Sequence, residues 1–152
     1  MIDGHWLSSN KFDPRALALY ERHYSARHYA DGRKRDQFVG PGEQMVLLTV
    51  CCRGLFVWVR NTIERFDRQV GVNCAVFRNE GAGLSSDLIR EADELAWQRW
   101  PDEARHFTYV DAGKIRRKRD PGRCFLRAGW QPAGRSKNGL VLLEHHKCRY
   151  DY

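Results

Sequence analysis

The chain has 152 residues, 42% hydrophobic and 30% charged, with 26 Lys and Arg against 19 Asp and Glu for a net charge of +7. This balance excludes an intrinsically disordered chain, suits one folded domain with a real core, and favours anionic partners such as nucleic acid or a phosphorylated cofactor. No apolar run is long enough to cross a membrane, since Arg53 and Gly54 interrupt the longest. Residues 1–13 lack the basic start and apolar run of a secretory leader. The five cysteines include no Cys-x-x-Cys pair, which argues against a zinc ribbon or finger and fits a reducing cytoplasm.

In "FDPRALALYERHYS", Asp13 can cap a helix with Pro14 at its first position. Ala16, Leu17, Tyr20 and Tyr24 then share one face, so the spacing predicts a helix over 14–24. A polar, basic, Gly-rich loop follows. Residues 45–52 and 55–63 read as two strands joined by a tight turn at Arg53-Gly54. After a second connection, "VNCAVFRN" at 72–79 is apolar almost throughout, the mark of a buried central strand. Residues 84–100 carry the best helical pattern. Leu84, Leu88, Ile89, Ala92, Leu95, Ala96 and Trp100 recur at three- and four-residue spacing, Ser85 or Ser86 can cap, and Pro101 follows the end. A short strand is expected over 105–111, then a basic loop over 112–119. A helix capped by Asp120, with Pro121 first, ends at Gly129, and a last strand covers 139–146. Trp58, Trp97, Trp100 and Trp130 lie in these patterns as core residues. The order predicts a single mixed α/β domain over residues 1–152.

The segment Arg78-Asn79-Glu80-Gly81-Ala82-Gly83 joins the central strand to the longest helix. Such a junction offers unpaired amides and the positive end of a helix dipole, and glycines let an anion approach the backbone. A plain structural turn would use the same residues. Arg-x-x-Gly-x-Gly between a strand and an amphipathic helix resembles the pyrophosphate loop of the GNAT acyltransferases. "CFLRAGW" followed by "GLVLLE" resembles their last sequence block. The resemblance covers roughly residues 45–144 and implies a GNAT-like α/β fold, a mixed, splayed central sheet flanked by helices with acyl-CoA held in the split. It implies that Arg78, Gly81 and Gly83 contact pyrophosphate, helped by the amides of Leu84 and Ser85. Two positions depart from the pattern: Phe125 stands where the family often has a general-acid tyrosine, and Asp87 lies in the first helical turn.

"ERHYS", "FTYVD" and the Gly-aromatic turn are also similar to phage Mom-type proteins, GNAT-fold relatives that modify adenine in DNA. That similarity implies His23, Tyr24 and Ser25 near the reaction centre, with Asp111 opposite. Alternation along the strand puts Tyr109 and Asp111 on one face. A carboxylate there can take a proton from an amine, and if His23 and Asp111 converge they can form a base or hold a metal ion. Cys124 at a helix start and "HHKC" at 145–148 are weaker candidates for a reactive thiol and a metal site. Arg33, Lys34 and Arg35 in one loop, and Lys114, Arg116, Arg117, Lys118 and Arg119 in another, can grip a nucleic-acid backbone or a nucleotide. The leading expectation is a GNAT-fold transferase that modifies a nucleobase in DNA. The alternatives are an acyl-CoA-dependent N-acyltransferase on a small amine or protein, and a catalytically inactive nucleic-acid-binding protein.

Overall fold

The β-branched and aromatic runs pair into one seven-stranded sheet, and three helices cover it. The computed structural model of the protein describes residues 4–22, 42–65, 67–111 and 122–148. In chain order the elements are β1 (Trp6–Ser9), α1 (Pro14–Glu21), β2 (Glu43–Thr49), β3 (Gly54–Arg60), β4 (Val72–Asn79), α2 (Ser85–Arg99), β5 (Arg105–Val110), α3 (Arg123–Arg127), β6 (Gln131–Arg135) and β7 (Val141–His146). Across the sheet they run β1-β2-β3-β4-β5-β7-β6. Among the described strands only β4 and β5 are parallel neighbours, and α2 is their crossover.

The two faces of the sheet bury different residues, as strand alternation requires. Leu47, Phe56, Trp58 and Cys74 pack with Leu88, Ile89, Ala92 and Ala96 of α2 and with Phe125 of α3. Val46, Leu48, Leu55, Val57 and Val76 pack on the opposite face with Ala16, Leu19 and Tyr20 of α1. All four tryptophans assigned to the core are buried there, Trp58 completely. β4 is central, as its composition indicates.

Several boundaries differ from the sequence reading. Asp13 does cap α1, accepting from the Arg15 amide at 2.9 Å, but the described helix ends at Glu21 and Tyr24 lies outside the described residues. The hairpin turn occupies Val50–Arg53, not Arg53-Gly54. Thr49 Oγ1 closes it by accepting from the amides of Arg53 and Gly54 at 3.2 and 2.9 Å. Gly54 is a strand residue, and it is glycine because a Cβ would stand 2.8 Å from Thr49 Cγ2 and 3.1 Å from Ala82 Cβ. No serine side chain caps α2: Leu84 is the cap residue and makes no side-chain bond. In α3 the cap residue is Gly122, in the left-handed region at φ 71°, while Asp120 and Pro121 lie outside the described residues. Gly129 ends that helix at φ 99°, as expected.

β1 and β6 were not anticipated. Both are edge strands, β1 burying only Trp6 and β6 nothing. Pro132 and Gly134 in β6 would argue against a central strand, but an edge tolerates them, and the register shifts between them.

One irregularity shapes the centre of the sheet. β4 and β5 pair only at Val72–His106 and Asn73–Phe107. Beyond that point the Thr108 hydroxyl, not a backbone amide, donates to the Cys74 carbonyl at 2.9 Å. The strands then diverge, and the sheet splits toward the glycine turn that follows β4.

Candidate functional site

The glycine turn is organised by one side chain. Asn79 Oδ1 accepts from the amides of Gly81 and Ala82 at 3.1 and 2.8 Å. Its Nδ2 donates to the Gly83 carbonyl and to Ser85 Oγ, both at 2.8 Å. The Glu80 amide donates to the Arg53 carbonyl at 2.7 Å, tying the turn to the β2–β3 hairpin. Gly81 has φ 92° and a missing Cβ that would face open space. Because Asn79 already holds the Gly81 and Ala82 amides, the anion-binding potential of the turn moves one residue on. The amides of Gly83 and Leu84 meet no acceptor among the described residues, and those of Ser85 and Ser86 are first-turn amides with no intrahelical partner. The dipole of the 15-residue α2 points its positive end there. Asp87 is half-exposed, and its charge is answered by Arg90 at 3.1 Å.

Arg78 faces its own loop. Its Nε donates to Glu80, and its Nη1 donates to the Arg22 carbonyl at 2.7 Å. Arg22, at the end of α1, holds the same carboxylate with Nε to Oε2 at 2.8 Å and Nη2 to Oε1 at 3.0 Å. These two guanidinium groups, Arg22 first, hold the Glu80 carboxyl down at about 2. Glu80 is therefore an ionised counter-ion and a poor general base. Arg22 escaped the sequence reading, although a cation in the last turn of a helix beside "HYS" was a visible signal.

At the end of β5 the Tyr109 hydroxyl donates to Asp67 Oδ2 at 3.0 Å, and Arg65 holds both oxygens of that carboxylate at 2.9 Å. Burial and then the Asp67 carboxylate raise the Tyr109 pKa, so the phenol stays protonated. Asp111 follows β5 directly and is half-buried, with buried Val110 between it and Tyr109. The other partners proposed for Asp111, His23 and Tyr24, lie outside the described residues, as do Arg33, Lys34, Arg35, Lys114, Arg116, Arg117, Lys118 and Arg119.

Phe125 is buried, 5.9 Å from Phe77 and 4.9 Å from Trp130 between ring centroids, and offers no proton. Burial pushes the Cys124 thiol up, away from a reactive thiolate. In the "HHKC" segment the two histidines part: His145 Nδ1 lies 3.1 Å from Asp93 Oδ2, and His146 Nε2 lies 3.3 Å from Glu144. Among the described residues no group of three or more His, Cys, Asp or Glu is placed to hold a metal ion.

Asp93, which the sequence reading passed over, sits on the buried face of α2. His106 Nδ1 lies 2.7 Å from its Oδ1, and Trp130 Nε1 donates to its Oδ2 at 2.9 Å. Its place between Ile89, Ala92 and Ala96 in an apolar stripe was the available signal.

No protein-family model matches the sequence, and no curated protein matches it. Solved structures do match. The aminoglycoside acetyltransferase AAC(6')-Ib in complex with coenzyme A aligns at TM-score 0.50 and 15% identity, over 68% of this chain and 66% of that one. The same enzyme with ribostamycin and coenzyme A aligns at TM-score 0.50 and 16% identity, over 72% and 69%. The chain thus spans slightly less than two thirds of the first of these. This likeness establishes the fold: a GNAT-like mixed α/β arrangement with a seven-stranded sheet flanked by helices. Among the described residues no helix is long and apolar enough to cross a membrane.

Proposed function

We propose that the protein is an acyl-CoA-dependent N-acyltransferase acting on an amine. The observation that carries this reading is the split between β4 and β5, paired only at Val72–His106 and Asn73–Phe107 and leading to an Arg-x-x-Gly-x-Gly turn at the start of α2. Chains that share this fold are described with coenzyme A bound. The residues fit such a donor. The Gly83, Leu84 and Ser85 amides would take pyrophosphate oxygens at the helix end, with Arg78 and Arg22 adding charge. The open edge of β4 beyond Asn73 would hydrogen-bond an extended arm as an added strand does. The open space at Gly81 keeps the approach clear of side chains.

A bound acyl thioester would supply the activated acyl group. The chain's part is to hold the arm against β4 and to bring an amine to it, and this positioning accounts for most of the rate effect. Asp111 would accept the proton that an ammonium group must shed before it can attack. Phe125 leaves no hydroxyl to protonate the departing sulfur. A thiolate is a much weaker base than an alkoxide and can depart without a proton donor, so this loss is tolerable. Calorimetric titration of acetyl-CoA, followed by acetyl transfer to a panel of amines with Asp111→Ala as control, tests the reading. Micromolar binding, and transfer lost in the variant, would support it; absence of binding would end it.

Modification of a nucleobase in DNA is the second reading, supported by the net charge of +7. Mass spectrometry of nucleosides from DNA of overexpressing cells addresses it. A new nucleoside absent with Asp111→Ala would displace the small-amine reading, and nucleic-acid binding without either product would favour an inactive binding protein.

A further inference from the structure

Glu80 is an anion inside an otherwise cationic corner. Arg22 grips both its oxygens and Arg78 donates to one of them, the fork geometry with which guanidinium groups hold phosphate. The bond from Arg78 Nη1 to the Arg22 carbonyl fixes the two arginines as a unit. The corner is open to solutes: the Arg22 side chain is 51% exposed, and those of Arg78 and Glu80 are 30% and 29% exposed. We infer that Glu80 is an internal counter-ion standing where a phosphate group of the ligand binds, and that Arg22 is a donor-binding residue reached by exchange for it. The inference rests on the acyl-CoA reading above for the identity of the donor.

The exchange selects among anions. A tethered carboxylate competes at the high local concentration of an intramolecular group. A monoanion gains little by replacing it. A pyrophosphate, with several charges and oxygens for both guanidinium groups and for the α2 amides, gains more.

Inorganic pyrophosphate and, separately, coenzyme A are titrated calorimetrically into the wild type, Glu80→Gln and Glu80→Gln/Arg22→Gln, each first checked for a native melting transition. Removing the competing charge is expected to tighten pyrophosphate binding about tenfold, and removing Arg22 to abolish that gain. Equal affinity of wild type and Glu80→Gln for pyrophosphate, no binding to any of the three, or a gain that survives without Arg22 would overturn the inference. If coenzyme A fails to bind while pyrophosphate shows the expected pattern, the counter-ion stands and the acyl-CoA reading falls. If coenzyme A binds and pyrophosphate shows no pattern, the reverse holds. Should Glu80→Gln not fold, the wild type still decides: the Arg22 Nε–H resonance must move on saturation with pyrophosphate, and a fixed resonance sinks the proposal.

Discussion

Gly81 and Gly83 stand two residues apart in one turn and answer to different constraints. Gly81 has φ 92°, where an L side chain is strained although nothing lies within 4 Å of its Cβ position. Gly83 is outside that region, and a Cβ there would rest 3.6 Å from His5 Nε2, an ordinary contact. Gly81→Ala is therefore expected to lose about 1–2 kcal/mol of stability, and Gly83→Ala less than about 0.5 kcal/mol, both measured by denaturant unfolding. Equal losses would contradict the assignment. Glu80 makes a second prediction at this scale. Its folded pKa of about 2 lies below the ordinary 4.5, so the unfolded chain binds the proton first. The stability it contributes is present above 4.5 and drains away as pH falls toward 2. The gap in unfolding free energy between wild type and Glu80→Gln should shrink across that range, and a constant gap would argue against an ionised counter-ion. The Arg-x-x-Gly-x-Gly spacing was legible in the sequence. That Asn79 holds two of its amides and Glu80 neutralises its arginine was not, because those bonds depend on the path of the folded turn and on Arg22, far off in sequence.

At the level of elements, legibility followed burial. β3 and β4 and the buried stripe of α2 read plainly, because each presents several apolar residues to the core, β3 as an unbroken run and α2 at helical spacing. β1 and β6 present one and none, so no pattern marks them. The exception on α2 is Asp93, which joins that helix to β5, to β7 and to Trp130 after α3. His106 is fully buried and its pKa is lowered, chiefly by that burial. It is therefore held neutral, with its Nδ1–H donating to Asp93. The unfolded chain takes up this proton more readily, so stability falls as pH drops below about 6.5, the ordinary imidazole value. Asp93→Asn keeps one acceptor oxygen but turns an N–H toward whatever faced the other, and should destabilise by about 1–3 kcal/mol. Chemical denaturation measures this, and a change below about 0.5 kcal/mol would mean the carboxylate is not the junction described.

β4 and β5 are parallel, and α2 is the crossover between them. Nothing in the composition of β4 or β5 marks where their ladder stops, because a split is a relation between two strands and has no residue pattern of its own. Thr108 is the nearest to a local cause. The residue is 4% exposed, and its hydroxyl bonds the Cys74 carbonyl one residue past the last paired position and so holds the start of the split at a fixed width. Thr108→Val keeps the shape of the side chain and removes the donor, leaving a buried carbonyl unpaired at a cost of about 1–3 kcal/mol. If the open edge of β4 holds the donor arm, acetyl-CoA affinity should fall with stability, because the freed carbonyl and its strand shift where the arm lies. If the split is only a packing feature, stability falls and affinity, measured well below the melting transition, does not. A variant as stable as the wild type would show that the hydroxyl bond does not hold the strands, and the fixed width would then need another cause.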